Sequence, residues 1–271
     1  MPELPEVETT RAGIEPHLLN QQVAHVEIRQ PRLRWPVDPR LPERLHKATI
    51  TAVRRRGKYL LLHVPDGVLL IHLGMSGSLR ITAADTPLRK HDHFLVTLAS
   101  GRQMRLHDPR RFGAVLWWDQ DPASHPLLAS LGPEPLSGEF SGDYLHATCH
   151  SRRTAIKQHI MNSKIVVGVG NIYASEALFL AGIHPNRQAG RVSRARCDKL
   201  ADAIEQVLLA AIEQGGSTLR DFVREDGQPG YFKQYLNVYD REGQPCPNCQ
   251  APIRKRIIGQ RSTYYCVHCQ H

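Results

Sequence analysis

The last 26 residues contain four cysteines in the pattern Cys246-x2-Cys249-x16-Cys266-x2-Cys269, and this spacing constrains the fold more than any other feature of the chain. Two Cys-x2-Cys knuckles bring four thiolates together tetrahedrally around Zn2+, and their separation lies within the range used by zinc ribbons. Four protein ligands leave no coordination position for a substrate, so one structural zinc ion is expected. The intervening PIRKRIIGQRSTYY carries Arg254, Lys255, Arg256 and Arg261. A rigid ribbon with a basic tip suits nucleic acid, and taken alone it suits protein contacts equally. The other two cysteines, Cys149 and Cys197, stand alone and read as structural free thiols.

A disulfide framework would require a secreted chain. The N-terminal MPELPEVETT lacks a basic segment followed by an apolar one, so no secretory signal is read. No apolar run approaches the ~20 residues of a membrane span. A cytoplasmic protein with no membrane partner is expected. Its 35 Lys and Arg against 26 Asp and Glu leave a charge of +9, which suits a polyanionic partner. Residues 29–58 alone hold ten basic and two acidic residues, a net +8 that reads as a phosphate-facing surface.

The first ~135 residues read mostly as strands. VAHVEIR (23–29) alternates; KYLLLHV (58–64) and VLLIHL (68–73) flank the turn Pro65-Asp66-Gly67. HFLVTLA (93–99) and RQMRLHD (102–108) flank Ser100-Gly101, and AVLWW (114–118) follows. Short strands joined by turns suggest a sandwich or barrel. A helix precedes them, starting near Pro5 with Val7, Ile14 and Leu18 on one face. Beyond LGPEPLSGEF (131–140) the chain reads as helices: 154–162, 171–182 and 193–216, the last capped by Ser193 and stopped by Gly215-Gly216. Residues 224–237 show no clear period and read as a mobile loop.

Two further segments carry possible chemistry. Loss of Met1 would expose Pro2 as a secondary amine, and an α-amine titrates near ~7.7–8. Its adduct with an aldehyde-level carbon is a cationic iminium, an electron sink that makes elimination at the neighbouring carbon easy. Glu3 and Glu6 lie beside it as acids or bases. In LHDPRRFGAV (106–115), Phe112 beside two arginines reads either as a core residue below a turn or as a wedge entering a duplex. Met75, between glycines in HLGMSGSL, is a second such wedge or a gap-filling core methionine.

These pieces together resemble the formamidopyrimidine-DNA glycosylase family, bacterial 8-oxoguanine DNA glycosylases and AP lyases. The resemblance is collinear over essentially all 271 residues: PELPEVET (2–9), GKYLLL (57–62), HLGMSGSLR (72–80), DPRRFG (108–113), LGPEPL (131–136), VGVGNIYASEALF (167–179) and the four-cysteine finger. It implies an α+β multidomain protein. Residues 1–134 would form a catalytic β-sandwich, 135–238 a helix–two-turn–helix DNA-binding domain with a lesion loop at 217–238, and 239–271 a zinc finger. The partner implied is double-stranded DNA containing oxidised purines, bound in the cleft between the lobes of a monomer.

The resemblance also implies roles for single residues. Pro2 matches the Schiff-base nucleophile, Glu3 the proton donor at the sugar, Lys58 the proton donor for β-elimination and Arg261 the arginine of δ-elimination. His91, Arg110, Arg152 and Asn171 match DNA contacts. Position 152 is often lysine in the family, so charge is kept while hydrogen-bond geometry differs. Met75, Arg110 and Phe112 match the trio that fills the gap left by the flipped nucleotide. Endonuclease VIII, which acts on oxidised pyrimidines, shares the Pro-Glu start, a lysine and the finger. Leu4 replaces its usual glycine, and the Met75, Arg110 and Phe112 set belongs to the formamidopyrimidine branch. A non-catalytic damaged-DNA-binding protein is the other rival, opposed by intact Pro2, Glu3 and Lys58.

Overall fold

The computed structural model describes residues 2–216 and 236–271. Helix α1 (Leu4–Leu18) begins with Pro5 in its first turn, where a missing N–H costs nothing. Its Val7, Ile14 and Leu18 are buried, as their spacing predicts. Strand β1 (Val23–Ile28) and the short helix α2 (Leu41–Leu45) follow. Next come β2 (Ala52–Arg56), β3 (Tyr59–Val64), β4 (Gly67–His72) and β5 (Ser78–Ala83), then β6 (Asp92–Leu98), β7 (Arg102–His107) and β8 (Ala114–Trp118).

These strands form two antiparallel four-stranded sheets, ordered β1-β6-β7-β5 and β2-β3-β4-β8. One core joins them: Val26, Phe94, Met104 and Leu106 from the first sheet and Leu60, Leu62, Leu69, Ile71 and Val115 from the second, with Val7, Ile14 and Leu18 of α1. This is the β-sandwich expected. The predicted hairpins close where the turn residues stand, with Val64 paired to Gly67 and Gly101 at φ +79°. Strands β2 and β5 and helix α2 escape the pattern reading, because their few apolar residues are interrupted by charges.

The second half contains α3 (Gly142–Cys149), α4 (Ile156–Ile160), α5 (Asn171–Leu180) and α6 (Arg194–Glu213). Helix α4 is shorter than the 154–162 predicted, and α3 was not predicted at all. Gly182 (φ +66°) follows α5, and Gly215 and Gly216, also at positive φ, follow α6. Cys149 and Cys197 are not isolated in space. They lie buried on α3 and α6, where the neighbouring Cys197 thiol, together with burial, pushes the Cys149 thiol up. The chain ends in a hairpin of β9 (Arg254–Ile258) and β10 (Arg261–Tyr265).

Of the described residues, 2–129 with 214–216 form one compact unit, and 130–213 with 236–271 form the other. Most of the loop predicted at 217–238 lies outside the described residues. Among the described residues no helix is long and apolar enough to cross a membrane.

Candidate functional site

In the first unit, Pro2 is buried and Glu3 is the N-cap of α1. The Glu3 N–H donates to Glu6 Oε2 (2.8 Å), half of a capping box that fixes where the helix starts. The N-terminus therefore enters the fold at a defined angle. Gly57 and Lys58 form the two-residue turn between β2 and β3, with Arg56 paired to Tyr59 and Gly57 at φ +56°. Arg55 ties the two features together. Its Nε donates to Glu8 Oε2 on α1 (2.8 Å), and its Nη1 donates to the Gly57 carbonyl (3.1 Å).

His72 stands across the sheet from Tyr59, with ring centroids 4.9 Å apart. Burial, followed by the charges of Lys58 and Arg34, lowers its pKa to about 4. The Gly74 N–H donates to His72 Nδ1 (3.0 Å), so the neutral ring carries its proton on Nε2.

The Asp108–Gly113 loop has a buried acid at its base. Asp108 Oδ2 accepts the Gly113 N–H at 2.7 Å, and Arg111 sits at φ +55°. This tight turn throws Phe112 outward, 45% exposed, with the Arg110 guanidinium 5.0 Å above its ring. The core reading of Phe112 is thereby excluded. Gly74, at φ +65°, lies so close that a Cβ there would strike the Phe112 and Gly113 backbone. Met75 follows it, half-buried. Met75 and Phe112 line one cavity of about 580 Å3 with Arg32, Arg34, His72 and Arg111. His91 immediately precedes β6, its ring against those of His93 and His107.

In the second unit, Asn171 opens α5 and is held by a lysine that sequence reasoning missed. Lys157 is 1% exposed, and its Nζ donates to Asn171 Oδ1 (2.7 Å), Thr263 Oγ1 (2.9 Å) and the Ser262 carbonyl (3.3 Å). Asn171 Nδ2 donates to the same carbonyl (3.0 Å). Helix α5 is thus bonded to the residues directly after Arg261. Arg261 is exposed at the first position of β10, opposite Ile258. The turn before it, Gly259-Gln260, has both residues at positive φ. Arg152 is exposed just beyond α3.

Glu176 was also missed. Its buried carboxylate accepts the N–H groups of Asn237 (2.7 Å), Val238 (2.9 Å) and Tyr239 (2.8 Å), so α5 pins the chain where it re-enters the described fold. Nothing in the sequence singles out Glu176 or Lys157, and only the packing of the helices reveals them as buried.

The four cysteines converge as predicted, with all sulfurs within 4.8 Å of one another. Cys249 and Cys266 Sγ are 3.4 Å apart, and Cys246 and Cys269 Sγ 3.8 Å. These spacings suit a ZnS4 tetrahedron, whose edge is about 3.8 Å for Zn–S bonds near 2.3 Å. The cluster shares an apolar core with Phe179 of α5, Ile253 and Tyr264. The four thiolates would hold one structural zinc.

Residues 1–115 match the family model for the formamidopyrimidine-DNA glycosylase N-terminal domain, residues 131–223 that for the formamidopyrimidine-DNA glycosylase H2TH domain, and residues 243–271 the zinc finger found in FPG and IleRS. A formamidopyrimidine-DNA glycosylase of Thioalkalivibrio sulfidiphilus is 62% identical over 270 residues, covering 100% of both chains. The solved complex of Lactococcus lactis FPG (MutM) with DNA containing Fapy-dG is similar at a TM-score of 0.90 and 32% identity, covering 99% of each chain. The complex of Lactococcus lactis Fpg with DNA containing an abasic site is similar at 0.91 and 32%, again over 99% of each chain.

Proposed function

Because this chain belongs to the formamidopyrimidine-DNA glycosylase family, DNA-repair glycosylases acting on damaged bases, we propose that it excises 8-oxoguanine and formamidopyrimidines from duplex DNA and then cleaves the strand as an abasic-site lyase. With Met1 removed, Pro2 presents a secondary amine at the start of α1. The damaged nucleotide leaves the stack, since C1′ is unreachable within the duplex. The Pro2 nitrogen then bonds to C1′ and sheds its N–H proton as the base departs with the electrons of the glycosidic bond. Glu3 delivers a proton to O4′ as the sugar ring opens, leaving an iminium between Pro2 and C1′. The iminium acidifies C2′. Loss of that proton expels the 3′ phosphate, with Lys58 as proton donor, and a second elimination expels the 5′ phosphate.

The observation that carries this reading is the Glu8–Arg55–Gly57 chain of hydrogen bonds. It fixes the N-terminal helix and the Lys58 turn on one frame, as a nucleophile and its proton donor require. Met75, Arg110 and Phe112 fill the vacated place in the stack, which suits the exposed Phe112 ring beneath a guanidinium. His91, Arg152 and Asn171 contact DNA. Arg261 serves as a phosphate contact rather than as a proton donor. It clamps the phosphates beside the lesion and stabilises charge on the departing one. Zinc supplies folding energy to the finger and no step of the reaction.

The test is a panel of duplexes. One bearing 8-oxoguanine should yield a gap flanked by phosphates on both sides, and one bearing an oxidised pyrimidine should react far more slowly. Arg261→Ala should lower the salt slope of binding by about one unit and accumulate the β-elimination product. Equal rates on both lesions would contradict the substrate assignment, and an unchanged slope and product ratio would reduce Arg261 to a solvated surface residue.

A further inference from the structure

We infer that His107 is a positioning residue for DNA binding, seated by the buried Asp92 carboxylate so that its ring fixes the ring of His91. The inference rests on the reading of His91 as a DNA contact. Asp92 and His107 face each other across β6 and β7, so sheet register itself creates the pair. Asp92 is 0% exposed, and both of its oxygens are engaged. Oδ1 accepts from Arg80 Nη2 (2.7 Å) and His107 Nδ1 (2.9 Å), and Oδ2 accepts the Arg89 N–H (2.9 Å). Arg105 Nη1 lies 3.8 Å from Oδ2. Burial pulls the carboxyl upward, but the Arg89 N–H, His107 and Arg80 together hold it below the usual carboxylate range.

An ionised carboxylate can only accept, so the proton of this pair sits on His107 Nδ1. That bond fixes the orientation of the ring, as a carboxylate does for a metal-bound histidine. The fixed ring meets His91 edge-on, with centroids 5.9 Å apart and planes at 72°, and His93 closes the other side at 5.8 Å and 70°. The backbone repeats the link, because the Asp108 N–H donates to the His91 carbonyl (2.9 Å). A half-buried histidine held on two sides loses little freedom when it meets a phosphate, which is the cost that preorganisation removes. His107 lies within LHDPRRFGAV (106–115), but nothing in that motif marks it apart from its neighbours until the sheet register sets it opposite Asp92.

His107→Asn keeps an amide N–H for Asp92 and deletes the ring. Binding to a duplex carrying a tetrahydrofuran abasic analogue should weaken about 2- to 10-fold, the range of an edge-to-face ring pair. KM on damaged duplex should rise with kcat unchanged. The salt slope should fall toward that of His91→Ala, and combining the two changes should cost nothing beyond His91→Ala alone. His107→Phe, which keeps a ring edge but not the hydrogen bond, should fall between the two. Unchanged affinity in His107→Asn, or losses that simply add in the double variant, would overturn the inference. If His91→Ala itself leaves affinity and slope unchanged, the DNA role of His91 fails and the inference fails with it.

Discussion

His72 illustrates how much one side chain's surroundings determine its chemistry. Half-buried and desolvated, and facing Lys58 and Arg34, it titrates near 4 instead of 6.5, so at neutral pH it is an uncharged ring accepting the Gly74 N–H beside a cation. The unfolded chain takes up the proton near 6.5 and the folded one only near 4. The unfolded state therefore binds more protons between those values, and stability falls as pH drops from 6.5 to about 4. At 1.36 kcal/mol per pH unit the contribution is on the order of 3 kcal/mol. His72→Gln should show a shallower loss of unfolding free energy between pH 7 and 4.5 in denaturant titrations. A slope equal to that of the parent protein would show that His72 is not the group responsible. Arg105 shows a buried cation in a structural role, its guanidinium donating to Gln103 Oε1 (2.7 Å) and the Thr86 carbonyl (2.7 Å) to shape the segment before β6.

The zinc hairpin is where elements depend on one another most directly. Its cysteine cluster shares a core with Phe179 of α5, while Lys157 of α4 reaches Thr263 of β10. Metal-binding energy here is also folding energy. Cys249→Ala should abolish tight DNA binding, by fluorescence anisotropy, while the β-sandwich keeps its cooperative unfolding transition. Full affinity in metal-free protein would contradict this dependence. Elements whose own pattern encodes them were legible in sequence: α1 from Pro5 and its apolar face, β3 and β4 from their turn, and the finger from its cysteine spacing. Elements that owe their form to neighbours were not. Strand β2 (AVRRR) reads as a charge run, yet it pairs fully with β3 and packs Val53 inward. The candidate site divides in the same way. Residues whose own chemistry or motif role stands out were named from sequence, whereas Arg55, Lys157, Glu176 and His107 act through partners 14 to 61 positions distant.

On the scale of the whole molecule, the basic surplus has two uses. Arg32 and Arg34 of the 29–58 segment line the cavity beside Met75 and Phe112. Arg40 and Arg44 of the same segment pair locally with Asp38 beside α2, and Arg55 ties β2 to Glu8 of α1. A count of charges over the segment could not separate these roles, because each depends on which acid the fold brings alongside. The proposed chemistry converges on the first residues of the chain: the capping box, the Arg55 tie and the buried setting of Pro2 all serve to present one amine. Borohydride trapping on duplex DNA containing 8-oxoguanine, with the adduct mapped by peptide mass, tests that claim most directly. Protein whose intact mass shows Met1 removed should give a covalent adduct at the Pro2 peptide, and protein retaining Met1 should give none, since its Pro2 nitrogen is an amide. An adduct at Lys58, formed in normal yield by the Met1-retaining protein, would contradict the account.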